Sequence, residues 1–504
     1  MIRDVSLINR HKFDLLVVGG GINGAAIAYL AADNGLSVAL IDKGDFGGGT
    51  SSKSSKLVHG GIRYLENLEF DLVAEALKER YIQFKNAPHL VRPLEFIIPI
   101  YEGDPRPAWM VKTGVSIYDA LAGSLKLGAH RFYSAQELLK EEPSLNPQGL
   151  KGGVLYFDAQ MDDARLCLEN VLMASLRGAR AANYVEALSL VKENRKTVGI
   201  VAKDLLTGQI FEVRAKRVVC ALGPWTERTF KEDRTFSKHN VRTTKGVHLI
   251  YKGKLCEHAV VVQARNDKRV FFVIPWMGNT LIGTTDTDFS GDPDNVVCDK
   301  EDAEYLMNET RRMFPAIDID GTNIITTFAG LRPLVHADGQ PSKVSRRHEI
   351  ETVASGVTYV MGGKYTTYRK IAEDCLKKFM YLKARGEFEY PLYGSGEPAG
   401  SIPKLAAEFS VKEATVQYLK DKYGMRCVDV LELTRDDVSL KEPMCDCSPA
   451  IRAQVVYAMD TEMAQNAEDV LTRRLGLTYM ACASQHCRVY VQAMFRERGS
   501  KSED

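Results

Sequence analysis

Hydrophobic positions near the start of the chain follow the order strand, helix, strand. Residues 13–18 form a short apolar run that ends at glycines, which predicts a buried parallel strand. Small apolar residues over 25–32 predict a closely packed helix, and the run 36–41 predicts a second strand. This order is a βαβ unit, so the pattern predicts an α/β fold built on a parallel sheet.

The turn between the first predicted strand and the helix has the spacing G-x-G-x-x-G. Gly19 permits the tight turn, Gly21 lets the backbone approach a pyrophosphate, and Gly24 lets helix and strand pack closely. Asp42, at the end of the second strand, is placed to accept hydrogen bonds from a ribose diol and would repel a 2′-phosphate, which disfavours NADP. The segment predicts a dinucleotide site at which both FAD and NAD stay open.

Helix and strand periodicities alternate through the following chain. Helices are predicted over 71–85 and over Ala108–Leu121, and the region from about residue 244 has more antiparallel character. Further strands are predicted at 95–100, 154–157, 182–190, 198–204, 209–214, 217–222, 270–275 and 279–283. From about residue 395 helix signals dominate, and Ser410 and Ser448 are predicted helix starts. We therefore expect a separate C-terminal helical domain.

Composition narrows the functional classes. The 504 residues suggest two or three domains. The 66 Lys plus Arg and 65 Asp plus Glu leave a net charge of +1, which does not indicate binding to nucleic acid. Only Cys445 and Cys447 of the ten cysteines are close in sequence, and no C-x-x-C or zinc spacing appears. We therefore expect a reduced intracellular compartment and no metal site. No secretory signal or membrane-spanning segment is predicted, while peripheral membrane contact stays open.

Polar side chains recur beside glycines in several segments. Residues 44–56 form a Gly/Ser-rich run, which is either a flexible linker or, after a nucleotide fold, a wall around the cofactor. His59 and Arg63 flank a glycine pair, Arg332 lies between glycine and proline, and Lys364 follows a second glycine pair. Glycine lets a ligand approach the backbone, so these segments are candidate ligand contacts. Each cation taken alone is more typical of a surface or ion-pair residue, but their repeated placement beside glycine turns favours ligand contacts.

The motifs taken together resemble one family. In chain order they are GGGINGAAIA, TSSKSSKLVHGGIRYL, DDARL, GPW, TKGVH, VIPW, GTTDTDFSGD, GLRPL and GGKYTTYRK. This order is typical of FAD-dependent glycerol-3-phosphate dehydrogenases, and the resemblance covers residues 13–385 and extends to the helical tail. TKGVH, GTTDTD and GLRPL also resemble the glycerol-3-phosphate oxidases, which carry an extra segment between GLRPL and GGK. Only residues 335–361 separate those two motifs here, which favours a dehydrogenase.

The resemblance implies a fold and a division of the chain. It implies an α/β protein (α+β overall) with a glutathione-reductase-type FAD-binding Rossmann domain, a D-amino-acid-oxidase-like antiparallel substrate domain and a C-terminal helical domain. The oxidoreductase region is expected over 1–390 and the helical domain over 391–504. FAD-binding segments are expected at about 13–90, 150–235 and 325–385, with substrate-domain segments at about 91–149 and 236–324.

The resemblance also implies roles for individual residues. Oxidation of a secondary alcohol needs a general base, which is His59 or His248, while the other histidine orients the substrate; a structural role for either also stays open. The expected catalytic residues are His59, His248, Arg332 and Lys364. The expected substrate contacts are Arg63, Tyr64, His248, Arg332, Arg346 and Thr366. The expected cofactor contacts are Gly19, Gly21, Ile22, Asn23, Gly24, Asp42, Lys43, Thr50, Ser51, Ser52, Ser55, Leu57, Gly223, Trp225, Thr285, Asp286, Gly330, Gly363, Lys364 and Thr366.

The implied activity is oxidation of sn-glycerol 3-phosphate to dihydroxyacetone phosphate by hydride transfer to FAD, with a membrane quinone as electron acceptor. The implied protein is a cytoplasmic homodimer that attaches peripherally to the inner face of the membrane. The helix predicted over Ala108–Leu121, which contains Trp109 and Lys112, is the candidate membrane contact; packing on its own domain is the alternative. Alternative functions are an oxidase that passes electrons to oxygen and forms hydrogen peroxide, and a non-catalytic flavin-binding protein.

Overall fold

The computed structural model describes residues 1, 3–233, 241–265, 267–335, 347–380, 382, 389–482 and 485–500. The strands are β1 (Lys12–Val18), β2 (Val38–Ile41), β3 (Leu57–Val58), β4 (Val91–Tyr101), β5 (Arg131–Ser134), β6 (Leu150–Met161), β7 (Arg180–Ala182), β8 (Val185–Glu193), β9 (Lys196–Asp204), β10 (Ile210–Cys220), β11 (Val241–Tyr251), β12 (Ala259–Gln263), β13 (Val270–Trp276), β14 (Asn279–Gly283), β15 (Thr287–Asp288), β16 (Ile324–Val335), β17 (His348–Thr352), β18 (Thr358–Gly362), β19 (Pro443–Cys445) and β20 (Ser448–Ile451).

The helices alternate with these strands up to residue 377 and dominate afterwards. They are α1 (Val5–Arg10), α2 (Ile22–Asp33), α3 (Phe70–Asn86), α4 (Ala108–Ala122), α5 (Ala135–Glu141), α6 (Asp163–Leu176), α7 (Lys300–Met313), α8 (Tyr368–Lys377), α9 (Ile402–Phe409), α10 (Glu413–Tyr423), α11 (Cys427–Asp436), α12 (Ala453–Asp460) and α13 (Gln485–Ser500). Within these described ranges no helix is long and apolar enough to cross a membrane.

The first sheet contains the predicted βαβ unit. Its parallel strands run in the order β18-β10-β1-β2-β7, and β17 extends it antiparallel. Helix α2 packs between the sheet and helices α6 and α8, and this is why its residues are small and apolar on nearly every side. A helix buried all round cannot show the one-sided pattern of a surface helix. The α/β class predicted from the sequence is confirmed.

Strand β10 shows where local patterning was insufficient. The sequence predicted two strands, at 209–214 and 217–222, whereas one strand spans Ile210–Cys220. Its first half pairs antiparallel with β9, and its second half pairs parallel with β1. The polar residues around Lys216 lie on the exposed face of this continuous strand, and they were mistaken for an interruption.

The second sheet has ten strands and is nearly all antiparallel. Its main order is β15-β11-β14-β13-β12-β4-β6-β3, and only β4 and β12 pair in parallel. Strand β6 pairs with β4 along almost its whole length, and β16 pairs with β11 in the same way. Both strands therefore belong to the second sheet, although the expected division placed residues 150–161 and 325–335 in the cofactor-binding segments.

The C-terminal domain is helical apart from one hairpin. Ser448 opens β20, which pairs with β19, and helix α12 begins only at Ala453, so the helix predicted to start at Ser448 was wrong. Ser410 ends α9 with φ 53° and does not cap α10, because the polypeptide turns between these two helices. The domain is held to the first sheet by buried ion pairs, such as Arg474 to Asp45 at 2.7 Å.

Candidate active site

A cavity of about 1090 Å³ lies between the two sheets, with walls from both. One end is formed by the glycine turn after β1, and the other by β11, β16 and the segment after β18. Predicted site residues that line it are Gly19, Gly21, Ile22, Asn23, Asp42, Lys43, Thr50, Ser51, Ser55, Leu57, His59, Arg63, Tyr64, Gly223, Trp225, His248, Thr285, Asp286, Gly330, Arg332, Gly363, Lys364 and Thr366. The fold thus brings motifs that are far apart in the sequence to one cavity.

Two of the predicted residues that the structure describes, Gly24 and Ser52, do not line the cavity. Gly24 faces strand β1, where a Cβ atom would overlap the carbonyl oxygen of Gly19. Its role is therefore close packing of α2 on β1. Ser52 is buried, and its carbonyl oxygen accepts a hydrogen bond from Lys56 Nζ at 2.7 Å. Arg346 lies outside the described residues.

The glycine turn fits a pyrophosphate. Gly19 has φ 105°, a left-handed conformation in which a Cβ atom would also meet the Ala221 carbonyl. The turn leads directly into α2, and Gly21, Ile22 and Asn23 at the start of this helix line the cavity, so the positive end of the helix faces it. Ser51 supports this arrangement because its Oγ accepts a hydrogen bond from the Ile22 N–H at 2.9 Å.

Asp42 offers carboxylate oxygens at the end of β2. Its Oδ2 accepts a hydrogen bond from the Gly20 N–H at 2.6 Å, and its Oδ1 accepts one from the Gly44 N–H at 2.8 Å. Burial raises the pKa of this carboxyl to about 6, and the two backbone donors act in the opposite direction. A hydroxyl donor from a ribose diol would further favour the ionised form.

The Gly/Ser-rich run is a wall of the cavity and not a linker. It includes a short 3₁₀ turn at Thr50–Ser52. Thr50 Oγ1 donates a hydrogen bond to the Leu331 carbonyl at 2.7 Å, which ties this turn to β16 of the second sheet. Because hydroxyls of the run bond to both halves of the molecule, the serine-rich composition has a structural explanation.

Two histidines, the buried His248 and the half-buried His59, lie at the far end of the cavity. His248 Nε2 and Ser55 Oγ are 2.8 Å apart, and the imidazole stacks on Phe328 with ring centroids 4.8 Å apart. Burial lowers the pKa of His248 well below its usual range, and Arg332 and Lys56 lower it further. The ring is therefore neutral at physiological pH, as a proton acceptor or an orienting group requires.

His59 has a different electrostatic setting. Burial lowers its pKa to about 4, the Asp158 carboxylate acts against this shift, and Lys364 and Arg63 add to it. The His59 backbone is fixed by Thr366, whose Oγ1 donates to the His59 carbonyl and accepts from the His59 N–H, each at 3.2 Å. Both candidate bases are thus neutral, and the Asp158 carboxylate acts on His59.

Cationic side chains accompany the histidines. Arg332 Nη2 donates to Thr284 Oγ1 at 2.8 Å, and Nη1 donates to Asp286 Oδ1 at 3.1 Å, so the guanidinium is held in one orientation. Lys364 Nζ lies 3.9 Å from the centroid of the Tyr64 ring. This end of the cavity therefore combines proton acceptors with fixed positive charge, a suitable setting for an anionic alcohol.

The sequence analysis missed Asp158, which lines the cavity on β6. Its Oδ1 accepts hydrogen bonds from Tyr118 Oη and Arg80 Nη1, both at 2.7 Å, and from the Gly60 N–H at 3.2 Å. Asp158 directly follows the apolar run 154–157 in the sequence. An acidic residue at the end of a buried strand was a usable signal, because buried carboxylates are retained where they are paired. Asp158 thereby anchors the glycine pair that follows His59.

Comparisons with known proteins agree with this geometry. Residues 14–369 match the model of the FAD dependent oxidoreductase family, and residues 389–503 match the C-terminal domain of alpha-glycerophosphate oxidase. A glycerol-3-phosphate dehydrogenase of Synechocystis is 35% identical over 502 residues, covering 94% of this chain and 91% of the relative. The chain belongs to the FAD-dependent glycerol-3-phosphate dehydrogenase family. The resemblance found in the sequence is confirmed.

Three further proteins are similar to this chain. The aerobic glycerol-3-phosphate dehydrogenase of Bacillus subtilis is 35% identical over 495 residues, covering 93% of this chain and 88% of that one. A glycerol-3-phosphate dehydrogenase from Bacillus halodurans, solved with FAD, has a TM-score of 0.80 at 29% identity, covering 98% of this chain and 92% of that chain. An L-alpha-glycerophosphate oxidase from Mycoplasma pneumoniae, at 17% identity and a TM-score of 0.54 over 76% of this chain and 96% of that one, shares the fold.

FAD is the cofactor of this family, and the residues of the cavity fit it. The glycine turn after β1 would hold the pyrophosphate and Asp42 the adenosine ribose. The hydroxyl-lined turn at Thr50–Ser52 and the Gly363–Lys364 segment would enclose the remainder, because both line the cavity beyond the glycine turn. The cofactor predicted from the sequence is confirmed.

Proposed function

We propose that this protein oxidises sn-glycerol 3-phosphate to dihydroxyacetone phosphate and passes the electrons to a membrane quinone. One observation supports this most: two neutral histidines and the cations Arg332 and Lys364 line the same FAD cavity. The names of the relatives indicate glycerol 3-phosphate as the substrate, and the proton acceptors and cations of the cavity suit such an anionic alcohol. The bound flavin provides the hydride acceptor, and the side chains orient the substrate and manage its proton.

His59 is the general base in this proposal. A base becomes positively charged when it accepts the hydroxyl proton, and the Asp158 carboxylate favours that charge at His59, against Lys364, Arg63 and Arg80. The charged groups that act on His248 are the cations Arg332 and Lys56, and both disfavour protonation. His248 lines the cavity, and its Nε2 lies 2.8 Å from Ser55 Oγ, which fixes the ring. His248 is therefore the orienting residue.

The phosphate dianion would bind to the arginines. A guanidinium presents paired, planar N–H donors that match phosphate oxygens, which an ammonium group does not. Arg332 is held by Thr284 and Asp286, and Arg63 lies on the turn at Ile62–Asn67, so two guanidiniums enter the cavity from different sheet edges. Arg346 is a predicted third contact and stays a prediction.

We expect Arg332→Met to raise the concentration of glycerol 3-phosphate that half-saturates flavin reduction by about 10–150-fold, since a charge-assisted hydrogen bond contributes about 1.5–3 kcal/mol. Stopped-flow reduction at varied substrate concentration measures this. Arg242→Met is the matched control, because Arg242 pairs with the exposed Asp288 at 2.5 Å and does not line the cavity. An unchanged half-saturation for Arg332→Met would exclude Arg332 from substrate binding.

Helix α4 is the proposed membrane contact. Trp109 is 70% exposed, and Met110 and Ile117 are each 37% exposed, which is unusual for such apolar side chains. The helix packs against the turn Ile62–Asn67, which carries Arg63 of the cavity wall. A membrane bound at this face would therefore lie beside the redox site. This supports a cytoplasmic protein that associates peripherally with the inner face of the membrane and reacts with quinone. The expected homodimer stays a prediction.

Replacing Trp109 and Ile117 together with serine should lower binding to vesicles of phosphatidylcholine and phosphatidylglycerol by about 10-fold or more, since each fully buried apolar side chain contributes about 1.5–3 kcal/mol. Flavin reduction by substrate should not change. Co-sedimentation with the vesicles measures binding. Val438→Ser provides a control, because Val438 is 68% exposed but belongs to the C-terminal domain. Equal binding by the double variant and the control would exclude α4.

The electron acceptor is tested by the second half-reaction. Enzyme reduced with glycerol 3-phosphate is mixed in a stopped-flow instrument with either oxygenated buffer or a soluble quinone analogue. The proposal predicts fast reoxidation by the quinone and slow reoxidation by oxygen. Rapid formation of hydrogen peroxide, with little reaction with quinone, would instead identify a glycerol-3-phosphate oxidase.

A further inference from the structure

Three cysteines of the C-terminal domain form a cluster outside the FAD cavity. The Sγ atoms of Cys445, Cys447 and Cys482 all lie within 4.8 Å of one another. Cys445 and Cys447 are 3.1 Å apart, and Cys482 is 3.7 Å from Cys445. The sequence places only the first two together, because residues 448–481 separate Cys482 from them. The fold therefore assembles a thiol cluster that its spacing alone did not reveal.

A fourth cysteine borders this thiol cluster. Cys487 lies in the first turn of α13 and is fully buried, and its Sγ donates to the Met444 carbonyl at 3.3 Å. Met444 directly precedes Cys445, so this hydrogen bond holds Cys487 beside the cluster. Four sulfur ligands thus come from the end of β19, the turn before β20, the segment before α13 and the first turn of α13.

The spacing of three of these sulfurs suits one tetrahedral ion. With Zn–S bonds of about 2.3 Å, the sulfurs of a tetrahedral site are about 3.8 Å apart. The 3.7 Å between Cys445 and Cys482 agrees with that value, Cys445 and Cys447 are closer at 3.1 Å, and all three sulfurs lie within 4.8 Å of one another. We propose that Cys445, Cys447, Cys482 and Cys487 bind a single structural zinc ion.

The chemistry of the ligands supports a structural role. A site closed by four thiolates has no open position for substrate, which is typical of structural and not catalytic zinc. The ion would join the β19–β20 hairpin to the segment before α13 and so fix Tyr479. The Tyr479 carbonyl accepts a hydrogen bond from Asn279 Nδ2 at 3.0 Å, and its ring lies 5.8 Å from that of Phe328, which stacks on His248. The zinc would therefore hold the C-terminal domain against the active-site sheet.

The test is the metal content of the full-length holoprotein, purified under reducing conditions without chelator and measured by inductively coupled plasma mass spectrometry. We expect about one zinc per FAD. Cys447→Ser and Cys482→Ser should lose that zinc. Cys298→Ser should keep it, because Cys298 is a partly buried thiol away from the cluster, beside Asp299. FAD absorbance of each variant reports whether it has folded.

A second measurement needs no variant. Zinc removed from the wild-type protein by a chelator should be replaceable by cobalt(II), with the visible absorption bands of tetrahedral thiolate coordination. Loss of zinc should also lower the melting temperature, since the ion links segments of the native state only. Three results would overturn the proposal: FAD-loaded protein with no metal, a disulfide between Cys445 and Cys447 in the isolated reduced protein, or two irons with acid-labile sulfide per chain.

Discussion

Replacing His59 with asparagine should slow anaerobic flavin reduction by glycerol 3-phosphate about 10²–10⁴-fold, the usual contribution of a general base. Asparagine retains a hydrogen-bonding side chain but cannot accept the hydroxyl proton. We propose His59 and not His248 for this role because the Asp158 carboxylate favours the protonated form of His59. Single-turnover stopped-flow absorbance measures the reduction rate independently of the electron acceptor.

The pH dependence provides a separate test of the same assignment. The pKa of His59 is lowered to about 4, and the base must be neutral to work. The second-order rate constant for reduction should therefore rise with pH through about 4 and stay level to neutral pH. His248→Asn should weaken substrate binding but keep this rise, whereas His59→Asn should abolish it. If His59→Asn retained the wild-type rate and profile, His59 would not be the base.

Replacing Lys56 with methionine should lower the free energy of unfolding by about 3–5 kcal/mol, because it leaves a buried carboxylate without its partner. Lys56 Nζ lies 2.6 Å from Asp163 Oδ1, and both side chains are almost fully buried. Nζ also donates to the Ser52 carbonyl, so the pair connects the serine-rich wall to the start of α6. Urea denaturation of FAD-saturated protein, followed by flavin and tryptophan fluorescence, measures the loss.

A surface pair supplies the control for this stability prediction. Lys216 Nζ lies 2.7 Å from Asp14 Oδ1, but these side chains are 67% and 30% exposed, and neither lines the cavity. Lys216→Met should therefore change stability by about 0–1 kcal/mol. The double variant Lys56→Met with Asp163→Asn should recover part of the loss, because it removes the unpaired charge. Equal, small effects of Lys56→Met and Lys216→Met would show that the buried pair does not stabilise the fold.

Short-range features of the site could be predicted from the sequence. The glycine turn and Asp42 were readable because a βαβ unit is local and because backbone geometry restricts Gly19 and Gly24 to glycine. The histidines and arginines were found through motifs that resemble the family. Their roles still rest on the proposals above.

Long-range pairing explains what sequence reasoning missed. Strand β6 pairs with β4, and nothing local to residues 150–161 signals membership of the second sheet. Asp158 acquires its significance only when Tyr118 and Arg80 reach it from α4 and α3. Ser448 resembled a helix start, but pairing with Cys445 made it part of a hairpin. The same hairpin brings Cys445 and Cys447 to Cys482, a contact that sequence spacing does not indicate.

The central claim is that this cavity oxidises glycerol 3-phosphate with FAD. Its most direct test is anaerobic titration of the purified yellow protein with sn-glycerol 3-phosphate. The proposed reaction predicts complete bleaching of the flavin band and formation of one dihydroxyacetone phosphate per FAD. No bleaching with glycerol 3-phosphate, together with bleaching by an amino acid, would contradict the claim and place the substrate among the amines.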